Sequence, residues 1–494
     1  MTQKFYISTT IPYVNGDPHI GHALEFVEAD VVARYHRAKG TEVFFLSGTD
    51  ENSLKNVQAA ERAGVPVKEF VDDYAGRFKD LLAKLNISND DFIRTTEPRH
   101  VKGAQKLWKA CDAAGDIYKK KYRGLYCVGC ELFVTEKDLE NGFCPEHKTK
   151  PEVVEEENYF FRLSKYSKKI GELIESGALR IIPEKRKHEM LSFVRGGLED
   201  FSISRSNARA KNWGVSVPED SSQKMYVWFD ALSNYINAVG YADDEKRFKE
   251  WWQENPEIVH VLGKGVARFH TLYWPGMLLS AGLRLPKEFF IHGYFTVEGE
   301  KMSKSLHNVV NPEDLVKKYG TDAVRYFLLR GISAYEDGDF SEVRFTELYN
   351  SDLANGIGNL VQRVTTLAEK AGLTDIRIAT GVFEPMVRKI KEGIRESLSL
   401  YEFHRAIERV WELVSAADKY VNETKVWEKE EEEQKKILAD LTSVILNIAN
   451  LLDLFLPATA EEILRRFGLT VADIRSPEIS KLTVKKGEPL FKRL

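Results

Sequence analysis

The chain has 494 residues, and 71 lysines and arginines against 75 aspartates and glutamates give it a net charge of −4. At about 150 residues per domain, this length predicts roughly three domains and a large buried core. A hydrophobic content of 43% with 30% charged residues excludes a disordered, collagen-like or coiled-coil chain. No segment is apolar enough to span a membrane and the amino terminus lacks a signal-peptide pattern, so we expect a cytoplasmic protein without a membrane partner. The near-neutral charge still allows a nucleic-acid partner, because such binding needs only a local positive face.

The amino-terminal residues predict a strand, a helix and a second strand. Residues 4–9 and 41–47 are apolar runs of strand length, and the segment between them carries an apolar stripe at helical spacing before Gly40. Such a unit is typical of a parallel sheet. Three later apolar runs predict that the chain returns to this sheet: residues 226–238, 258–262 and 289–297. We therefore expect an α/β fold, with a doubly wound, Rossmann-like domain formed by residues 1–114 and 226–290.

The rest of the chain divides into an insertion, a linking domain and a helical domain. Residues 122–163 are strand-rich around a cysteine cluster, which predicts an insertion into the Rossmann-like domain over residues 115–225. We expect residues 291–348 to form a linking domain between the Rossmann-like domain and the helical region. In residues 349–494 almost every segment has the helical period and strand-like runs are missing, which predicts a carboxy-terminal helical bundle. The charge run 428–436 is interpreted as the solvated start of one of its helices.

The loop after the first predicted strand carries residues suited to phosphate. It runs into the predicted helix through His19-Ile-Gly-His22. A helix amino terminus attracts phosphate, His19 and His22 can donate further hydrogen bonds, and Gly21 lets a nucleotide approach the backbone. The loop lacks the Lys-Ser/Thr pair of a P-loop and the G-x-G-x-x-G of a dinucleotide-binding fold, so neither class is favoured. Alone, the four residues are equally compatible with two surface histidines at a turn.

A second motif lies far downstream, in the linking domain. Lys301-Met-Ser-Lys-Ser305 follows a strand-like run and the turn Glu298-Gly299, which places Lys301 and Lys304 on a glycine-flanked loop. Two cations on such a loop can neutralise the charge that develops on a triphosphate in a transition state. A histidine loop and a lysine loop on one α/β chain together favour nucleotide chemistry over chance surface residues.

The two motifs resemble those of the class I aminoacyl-tRNA synthetases, known as HIGH and KMSKS. The resemblance is closest to the methionyl-tRNA synthetase family and covers essentially the whole chain. The other matching segments are Tyr13 with Asn15-Gly16, residues 48–50, residues 226–232, Phe269-His270 with Trp274-Pro275, and residues 292–294. This resemblance implies a ligase that converts L-methionine and ATP to methionyl-adenylate and pyrophosphate, then transfers methionine to the terminal adenosine of tRNA(Met) and releases AMP.

The resemblance also implies roles for individual residues. Asp50 would pair with the α-ammonium group of methionine. The methionine side chain would be lined by Ile11, Tyr13, Trp228, Ala231, Leu232, Tyr235, Val266 and His270. ATP, accompanied by Mg²⁺, would be bound by Tyr13, His19, Gly21, His22, Gly263, His292, Lys301 and Lys304. Among these, the expected catalytic residues are His19, His22, Lys301 and Lys304.

Three places depart from the family's pattern. Asn52 and Ser53 stand where the common Asp-Glu-His-Gly has His and Gly, and His307 replaces the glycine that follows KMSKS. Gly265 replaces the aspartate of Gly-Lys-Asp. The change at Gly265 bears on ATP affinity, because a carboxylate there normally helps to hold the nucleotide.

Three of the four cysteines lie close together and suit a metal ion better than disulfides. Cys127-x₂-Cys130-x₁₃-Cys144-x₂-His147 offers three thiolates and an imidazole in two close pairs, as a tetrahedral structural Zn²⁺ requires. We predict a closed zinc knuckle that stiffens the insertion, a feature the resembled family has; buried reduced cysteines without metal are the alternative. Cys111 lies outside the pairs and is expected to be an inert, half-buried helix residue.

The helical bundle carries three candidate residues for RNA. Asn359 and Arg363 are four apart on one helix and point the same way, so they can offer donors to unstacked bases, and Trp427 could stack on a base. By resemblance, all three read the anticodon of tRNA(Met), although solvated surface is the ordinary role of such residues. The chain stops at Leu494 without the dimerising domain that many relatives carry, so we expect a monomer, which a separate tRNA-binding partner protein can assist.

There are two alternatives, one within the same class of enzymes and one a non-catalytic protein. A class I synthetase for another amino acid is disfavoured. The leucine, isoleucine and valine enzymes carry a large editing domain, and this chain has no room for one. The cysteine enzyme uses a cysteine just before HIGH, where this chain has Thr9, Thr10 and Ile11. A non-catalytic tRNA-binding paralogue should have a broken histidine or lysine motif, and both motifs are complete here.

Overall fold

A computed structural model describes residues 3–127, 129, 132–134, 136, 139–145, 148–302, 308–374, 381–474 and 481–494, with only the backbone of Leu132, Phe133 and Lys301. The chain forms two compact units. The first unit contains residues 1–18, 40–80 and 89–291, and the second contains residues 19–39, 81–88 and 292–494.

The strands and helices cover the described chain in a mixed order. The strands are β1 Lys4–Ser8, β2 Glu42–Thr49, β3 Asp91–Arg94, β4 Ile117–Cys127, β5 Leu132–Val134, β6 Glu152–Phe161, β7 Arg180–Ile182, β8 Phe201–Ser202, β9 Ser204–Ser206, β10 Ser216–Val217, β11 Asp220–Met225, β12 Ile258–Gly263, β13 Glu288–His292, β14 Phe295–Val297, β15 Glu300–Lys301 and β16 Gly338–Phe340. The α-helices are α1 Ile20–Ala38, α2 Leu54–Ala63, α3 Val67–Lys84, α4 Pro98–Ala113, α5 Ser167–Glu175, α6 Glu184–Arg195, α7 Val227–Leu232, α8 Asn234–Asn237, α9 Glu245–Phe248, α10 Trp274–Ser280, α11 Pro312–Tyr319, α12 Thr321–Arg330, α13 Glu342–Leu348, α14 Asn359–Lys370, α15 Glu384–Ser399, α16 Phe403–Thr424, α17 Glu431–Leu452, α18 Pro457–Arg466 and α19 Val471–Ile474.

A six-stranded sheet in the order β3-β2-β1-β12-β13-β7 forms the centre of the first unit. The pairs β1–β2, β1–β12, β2–β3 and β13–β7 run parallel. Its inner strands are buried apolar runs, as expected for a parallel sheet, and Tyr6, Ile7 and Leu46 are fully buried. The order reverses between β1 and β12, which is the doubly wound topology predicted from the sequence.

One predicted return to the sheet is wrong. Residues 226–238 are helical, as α7 and α8, whereas the runs at β12 and β13 are strands. The apolar run at 226–238 is buried on most sides, so its pattern could not distinguish a buried helix from a strand. The third strand-like run continues past β13 into β14, which belongs to a separate sheet.

Two smaller sheets occupy the range predicted as an insertion. β5, β4, β6 and β8 form an antiparallel sheet in which β4 and β6 are paired from Ile117 with Phe161 to Tyr126 with Glu152. β10, β11 and β9 form a second antiparallel sheet. β7 also falls in this range, and it joins the edge of the central parallel sheet beside β13.

The second unit is predominantly helical. β14, β15 and β16 form its small sheet, and from residue 349 onward the described residues contain helices and no strand. Helices α14 to α18 lie in the range predicted to be helical, and α17 begins at Glu431, inside the charge run. These observations confirm the α/β class with a carboxy-terminal helical domain.

A buried arginine ties together distant segments of the second unit. Arg325 on α12 is 0% exposed and donates to the Asp30 carboxylate at 2.8 Å, to the Leu85 carbonyl at 3.0 Å and to the Phe455 carbonyl at 2.7 Å. Although burial alone would raise the pKa of Asp30, Arg325 and Arg34 lower it. The charge of Arg325 is therefore compensated, as burial requires.

Among the described helices, none is both long and apolar enough to cross a membrane.

Candidate active site

The first unit contributes a set of residues around the carboxyl ends of β1, β2 and β12. In open parallel sheets, ligands bind beyond the carboxyl ends of the strands at the point where the strand order reverses, which here lies between β1 and β12. Gly263 ends β12 and precedes a single 3₁₀ turn, Lys264–Val266, that contains Gly265. The predicted residues Gly263 and Val266 thus lie at this end of the sheet.

Tyr13 and Asp50 are held side by side in the loops that follow β1 and β2. They form an isolated parallel bridge, and the Asp50 amide donates to the Pro12 carbonyl at 2.9 Å. Asp50 is 3% exposed. Its carboxylate accepts a hydrogen bond from the Asn52 amide at 3.1 Å, and its carbonyl accepts one from the Asn56 side chain at 2.9 Å. A buried carboxylate fixed on both sides suits a positively charged ligand group.

Close packing at Gly48 brings Ile11 beside the end of β2. A Cβ atom on Gly48 would lie 2.2 Å from the Ile93 carbonyl oxygen and 2.9 Å from Cγ2 of Ile11. Glycine at this position therefore lets β2, β3 and the loop of Ile11 approach one another.

Aromatic rings form one wall of the candidate pocket. Trp228 on α7 stacks on Phe269 with ring centroids 3.9 Å apart and planes within 2°, and Tyr13 meets Trp228 edge-on at 6.4 Å. The predicted neighbours Ala231 and Leu232 follow on α7 and are buried. Sequence analysis did not assign Phe269 to the pocket, although it lies in the quoted pair Phe269-His270.

A hydrogen-bonded pair, Tyr235 and His270, lies beside this wall. The Tyr235 hydroxyl is 2.8 Å from His270 Nε2, and His270 Nδ1 is 2.9 Å from the Val266 carbonyl oxygen. Because a carbonyl can only accept, Nδ1 carries the proton and Nε2 accepts from Tyr235. The Tyr235 hydroxyl and both ring nitrogens of His270 therefore have hydrogen-bond partners although they are buried, and the pair presents a mostly apolar surface. His260, which the sequence did not single out, lies 4.2 Å from Tyr235 between ring centroids, and burial holds its pKa well below the usual value.

His19 and His22 cap helix α1 in the second unit. His19 is the N-cap residue, and its Nδ1 accepts from the Gly21 amide at 3.1 Å. Nδ1 of His22 accepts from the His19 amide, also at 3.1 Å. With both Nδ1 atoms accepting, the proton of each neutral ring is on Nε2. Each ring can thus offer an Nε2–H donor at a helix amino terminus, the kind of group that binds phosphate.

His292 is buried beside two carboxylates of α1. Its Nε2 is 2.9 Å from Glu25 Oε2 and its Nδ1 is 2.8 Å from the Gly293 carbonyl oxygen. Burial alone would lower the pKa of His292, but the hydrogen bond to Glu25 and the charge of Glu28 raise it to about 9. Burial also raises the pKa of Glu28 to about 8. Both ring nitrogens of His292, a residue predicted to bind ATP, thus have protein partners.

The lysine motif is described only at its beginning. Lys301 is in β15, where its backbone pairs with Thr296 of β14, and its side chain lies outside the description. Lys304 and His307 also lie outside the described residues. Their predicted roles stay predictions.

The three RNA candidates occupy neighbouring helices of the second unit. Asn359 starts α14 and is exposed, one turn before Arg363. Arg363 donates to Asp418 at 3.1 Å and to Asn422 at 2.8 Å, and its guanidinium carbon lies 5.9 Å from the centre of the Trp427 ring. Trp427 is 48% exposed. The structure therefore brings Arg363 and Trp427 together.

Two of the predicted metal ligands are described. Cys127 and Cys144 are each at most 2% exposed, and they share a small apolar cluster with Val134. Cys130 and His147 lie outside the described residues. In the described part of the chain no group of three metal-ligating side chains occurs. Cys111 is fully buried rather than half-buried, and burial raises the pKa of its thiol to about 12.

Two family models match the chain. The model described as tRNA synthetases class I (M) matches residues 5–149 and 134–365, and the model described as the anticodon-binding domain of tRNA ligase matches residues 386–488. Together with the doubly wound sheet and the histidine loop, these matches define a class I aminoacyl-tRNA synthetase.

Individual relatives show which family of class I synthetases the chain belongs to. The chain is 42% identical to the methionine-tRNA ligase of Thermotoga maritima and 40% identical to that of Fusobacterium nucleatum, over 99% and 100% of its own length and 80% of each relative. It superimposes on Mycobacterium tuberculosis methionyl-tRNA synthetase in complex with methionyl-adenylate with a TM-score of 0.92 at 35% identity, covering 100% of both chains. The apo form of that enzyme gives a TM-score of 0.86 at 32% identity over 100% of this chain and 99% of the other. The chain belongs to the methionyl-tRNA synthetase family.

Proposed function

We propose that this chain is a methionine-tRNA ligase that activates L-methionine with ATP and then esterifies tRNA(Met). The observation that carries the proposal is the pairing, in the first unit, of a buried carboxylate, Asp50, with an aromatic pocket built on Trp228 and Phe269. An α-amino acid with a long apolar side chain presents the complementary groups. Family membership and the full-length relatives support the same reaction.

Methionine is oriented by its two ends. Its ammonium group pairs with Asp50, and its unbranched thioether side chain lies against the ring of Trp228 and beside Tyr235. A flexible, polarisable side chain of this kind gains from aromatic contacts. Since the Tyr235 hydroxyl and His270 already satisfy each other, a polar or charged side chain would enter this pocket without a strong partner and would lose its hydration.

ATP phosphates are assigned to the amino terminus of α1. The Nε2–H groups of His19 and His22 donate to phosphate oxygens, and Lys301 and Lys304 contribute positive charge. Mg²⁺, when bound with ATP, supplies further charge neutralisation at the phosphates. The carboxylate of methionine attacks the α-phosphorus, the bond to the bridging oxygen of pyrophosphate breaks, and methionyl-adenylate forms. Catalysis of this kind depends mainly on positioning and on fixed donors rather than on a protein nucleophile.

Transfer consumes the adenylate. A hydroxyl group of the terminal adenosine of tRNA(Met) attacks the methionyl carbonyl carbon, and AMP leaves. Asn359, Arg363 and Trp427 are the proposed anticodon contacts, which the exposure of Trp427 beside a guanidinium supports.

A structural Zn²⁺ held by Cys127, Cys130, Cys144 and His147 is part of the proposal. Two cysteine side chains, Cys127 and Cys144, are buried in one cluster, which suits the first and third ligands. The donor set suits a closed tetrahedral site that stabilises the tip of the antiparallel sheet.

ATP–pyrophosphate exchange with each of the twenty amino acids tests the proposal. Methionine alone should support rapid exchange, and homocysteine should be the strongest competitor, because one missing methyl group changes binding by only ~1–3 kcal/mol. Exchange driven by another amino acid would identify a different class I synthetase. Absence of exchange, with tRNA binding retained, would indicate a non-catalytic paralogue.

A further inference from the structure

Asn52, one of the residues that departs from the family's pattern, connects two parts of the amino-acid pocket. Its backbone amide donates to the Asp50 carboxylate at 3.1 Å. Its side-chain Nδ2 donates to Asp230 Oδ2 at 2.6 Å and to the Thr95 carbonyl at 3.1 Å. Asp230 lies on α7, the helix that carries Trp228. One residue therefore contacts both the carboxylate assigned to the ammonium group and the helix assigned to the side chain.

The partner of Asn52, Asp230, is completely buried and has both oxygens engaged. Asp230 is 0% exposed, and its Oδ1 is 2.6 Å from Nε2 of His100, which is also 0% exposed. His100 Nδ1 is 3.3 Å from the amide nitrogen of Asn237, a donor, so Nδ1 accepts and Nε2 carries the proton toward Asp230. A buried carboxylate is costly without such donors. The amide of Asn52 is thus one of the two side chains that keep Asp230 and α7 in place.

We propose that Asn52 is a positioning residue that holds Asp50 and α7 at a fixed spacing and thereby sets the affinity for the amino-acid substrate. The inference rests on the proposed function, because it takes Asp50 and Trp228 as the two ends of the methionine site. Asn52 itself does not touch the reacting atoms. Its effect is transmitted through hydrogen bonds to residues that contact the substrate.

The role proposed for position 52 depends on the two N–H donors of an amide side chain. Both N–H groups of Nδ2 point to acceptors, a carboxylate oxygen and a carbonyl oxygen. An aspartate at position 52 has the same shape but offers only lone pairs when ionised, and two carboxylates at this separation repel each other, which favours binding of one proton as the pH falls. One proton bound by the pair would restore a donor, so N52D should behave more like the wild type at lower pH.

The decisive measurement is the KM for methionine in ATP–pyrophosphate exchange, for N52D and wild type between pH 6 and pH 8. At pH 8 the ratio of the two KM values should be on the order of 10- to 100-fold, because a small displacement of positioned groups costs that much, and it should fall toward pH 6. The KM for ATP should not change.

The titratable groups facing position 52 are Asp50 and Glu51 on its own loop, Asp230 on α7 and His100 on α4, and Arg94 is paired with Glu51.

Two variants serve as controls. N52A removes the donors without adding a charge, so its KM for methionine should rise while the ratio to wild type stays flat with pH. N255D adds the same carboxylate at another buried asparagine of the first unit, whose Nδ2 donates to the Trp251 carbonyl at 3.2 Å. Its melting temperature can fall, but its KM for methionine should equal that of the wild type.

Several results would overturn the inference without touching the proposed function. Unchanged methionine KM values in N52D and N52A, with normal methionine-dependent exchange by the wild type, would show that Asn52 does not position the pocket. Equal rises in the KM for methionine and for ATP, with a pH-independent ratio, would indicate a general structural role. If N52D does not fold, N52A tests the inference by itself: its KM for methionine should rise while its KM for ATP stays constant. Failure of the wild type to catalyse methionine-dependent exchange would instead refute the proposed function.

Discussion

The rings of His19 and His22 stack with their centroids 3.7 Å apart, and each ring accepts a backbone hydrogen bond through Nδ1. The HIGH sequence thus builds a reciprocal cap on helix α1, in which the N-cap side chain accepts from the helix and the side chain of the third helical residue accepts from the N-cap backbone. The same hydrogen bonds determine which ring nitrogen carries the proton. Helix capping and the orientation of the proposed phosphate donors therefore depend on one arrangement.

Replacing His19 in two ways should separate capping from catalysis. In H19N the amide oxygen can take over the cap, because asparagine is a strong N-cap residue, but no donor replaces Nε2–H. We expect an unchanged melting temperature and exchange reduced by ~10²–10³, the cost of one transition-state donor. H19Q places an amide N–H near the position of Nε2 and should lose clearly less exchange. Equal losses in both variants, accompanied by lower melting temperatures, would assign His19 to capping alone.

Removal of the Tyr235 hydroxyl should weaken methionine binding. Y235F leaves Nε2 of His270 without its donor in a buried site, a change that costs ~1–3 kcal/mol. The KM for methionine should rise roughly 10-fold, while the KM for ATP stays constant. Y326F, which deletes a hydroxyl that donates to Asp352 in the second unit, is the matched control and should leave the KM for methionine unchanged. The same rise in Y326F would show a general effect of destabilisation.

The cluster of His292 and Glu28 should make the second unit less stable as pH rises. The pKa of His292 is raised from 6.5 to about 9, so the stabilisation is complete below about pH 6.5 and is lost as pH rises through about 9. The pKa of Glu28 is raised from 4.5 to about 8, so folding favours its protonated form and stability is lost between about pH 4.5 and 8. Both effects have the same sign, and for His292 the loss is on the order of 3 kcal/mol.

Thermal melts between pH 6 and pH 9 measure this loss. The melting temperature of the wild type should fall over that range, and E28Q, which cannot ionise at this position, should show a smaller fall. E347Q removes an exposed carboxylate from the same unit and should follow the wild type. An E28Q curve parallel to that of the wild type would contradict the assignment of the pH dependence to Glu28.

The sequence predicted those parts of the molecule that depend on local patterns. The parallel strands, the helical domain and the capped helix after His19 follow from apolar period and from glycine at turns, and they are present. The segment 226–238 was mistaken for a strand because a helix buried on most sides has no polar face. The bond between His100 and Asp230 joins residues 130 positions apart. No local pattern marks such a pair, so only the folded chain reveals the role of Asn52 beside it.

Zinc binding can be tested by replacing two of the four cysteines, one proposed ligand and one control. C127S removes a proposed ligand, so elemental analysis should give less than one zinc per chain, compared with about one for the wild type. C111S is the matched control, since Cys111 is equally buried but its thiol donates to the Met277 carbonyl at 3.7 Å in another part of the first unit. Its zinc content should be unchanged. A fully folded wild type without zinc would refute the knuckle.

Trp427 should matter for tRNA and not for adenylation. It is 48% exposed on the helical domain and lies beside the guanidinium of Arg363, an arrangement that offers a stacking surface to an unstacked base. W427A should leave methionine-dependent exchange intact and lower kcat/KM for charging of tRNA(Met) by roughly 10- to 100-fold, because base stacking contributes ~1–3 kcal/mol. W427F keeps a ring and should retain most of the charging activity. A circular dichroism melt run on each variant separates this effect from unfolding: a loss of exchange in W427A together with a lower melting temperature would show that Trp427 acts through the stability of the helical domain, and would withdraw it from the anticodon site.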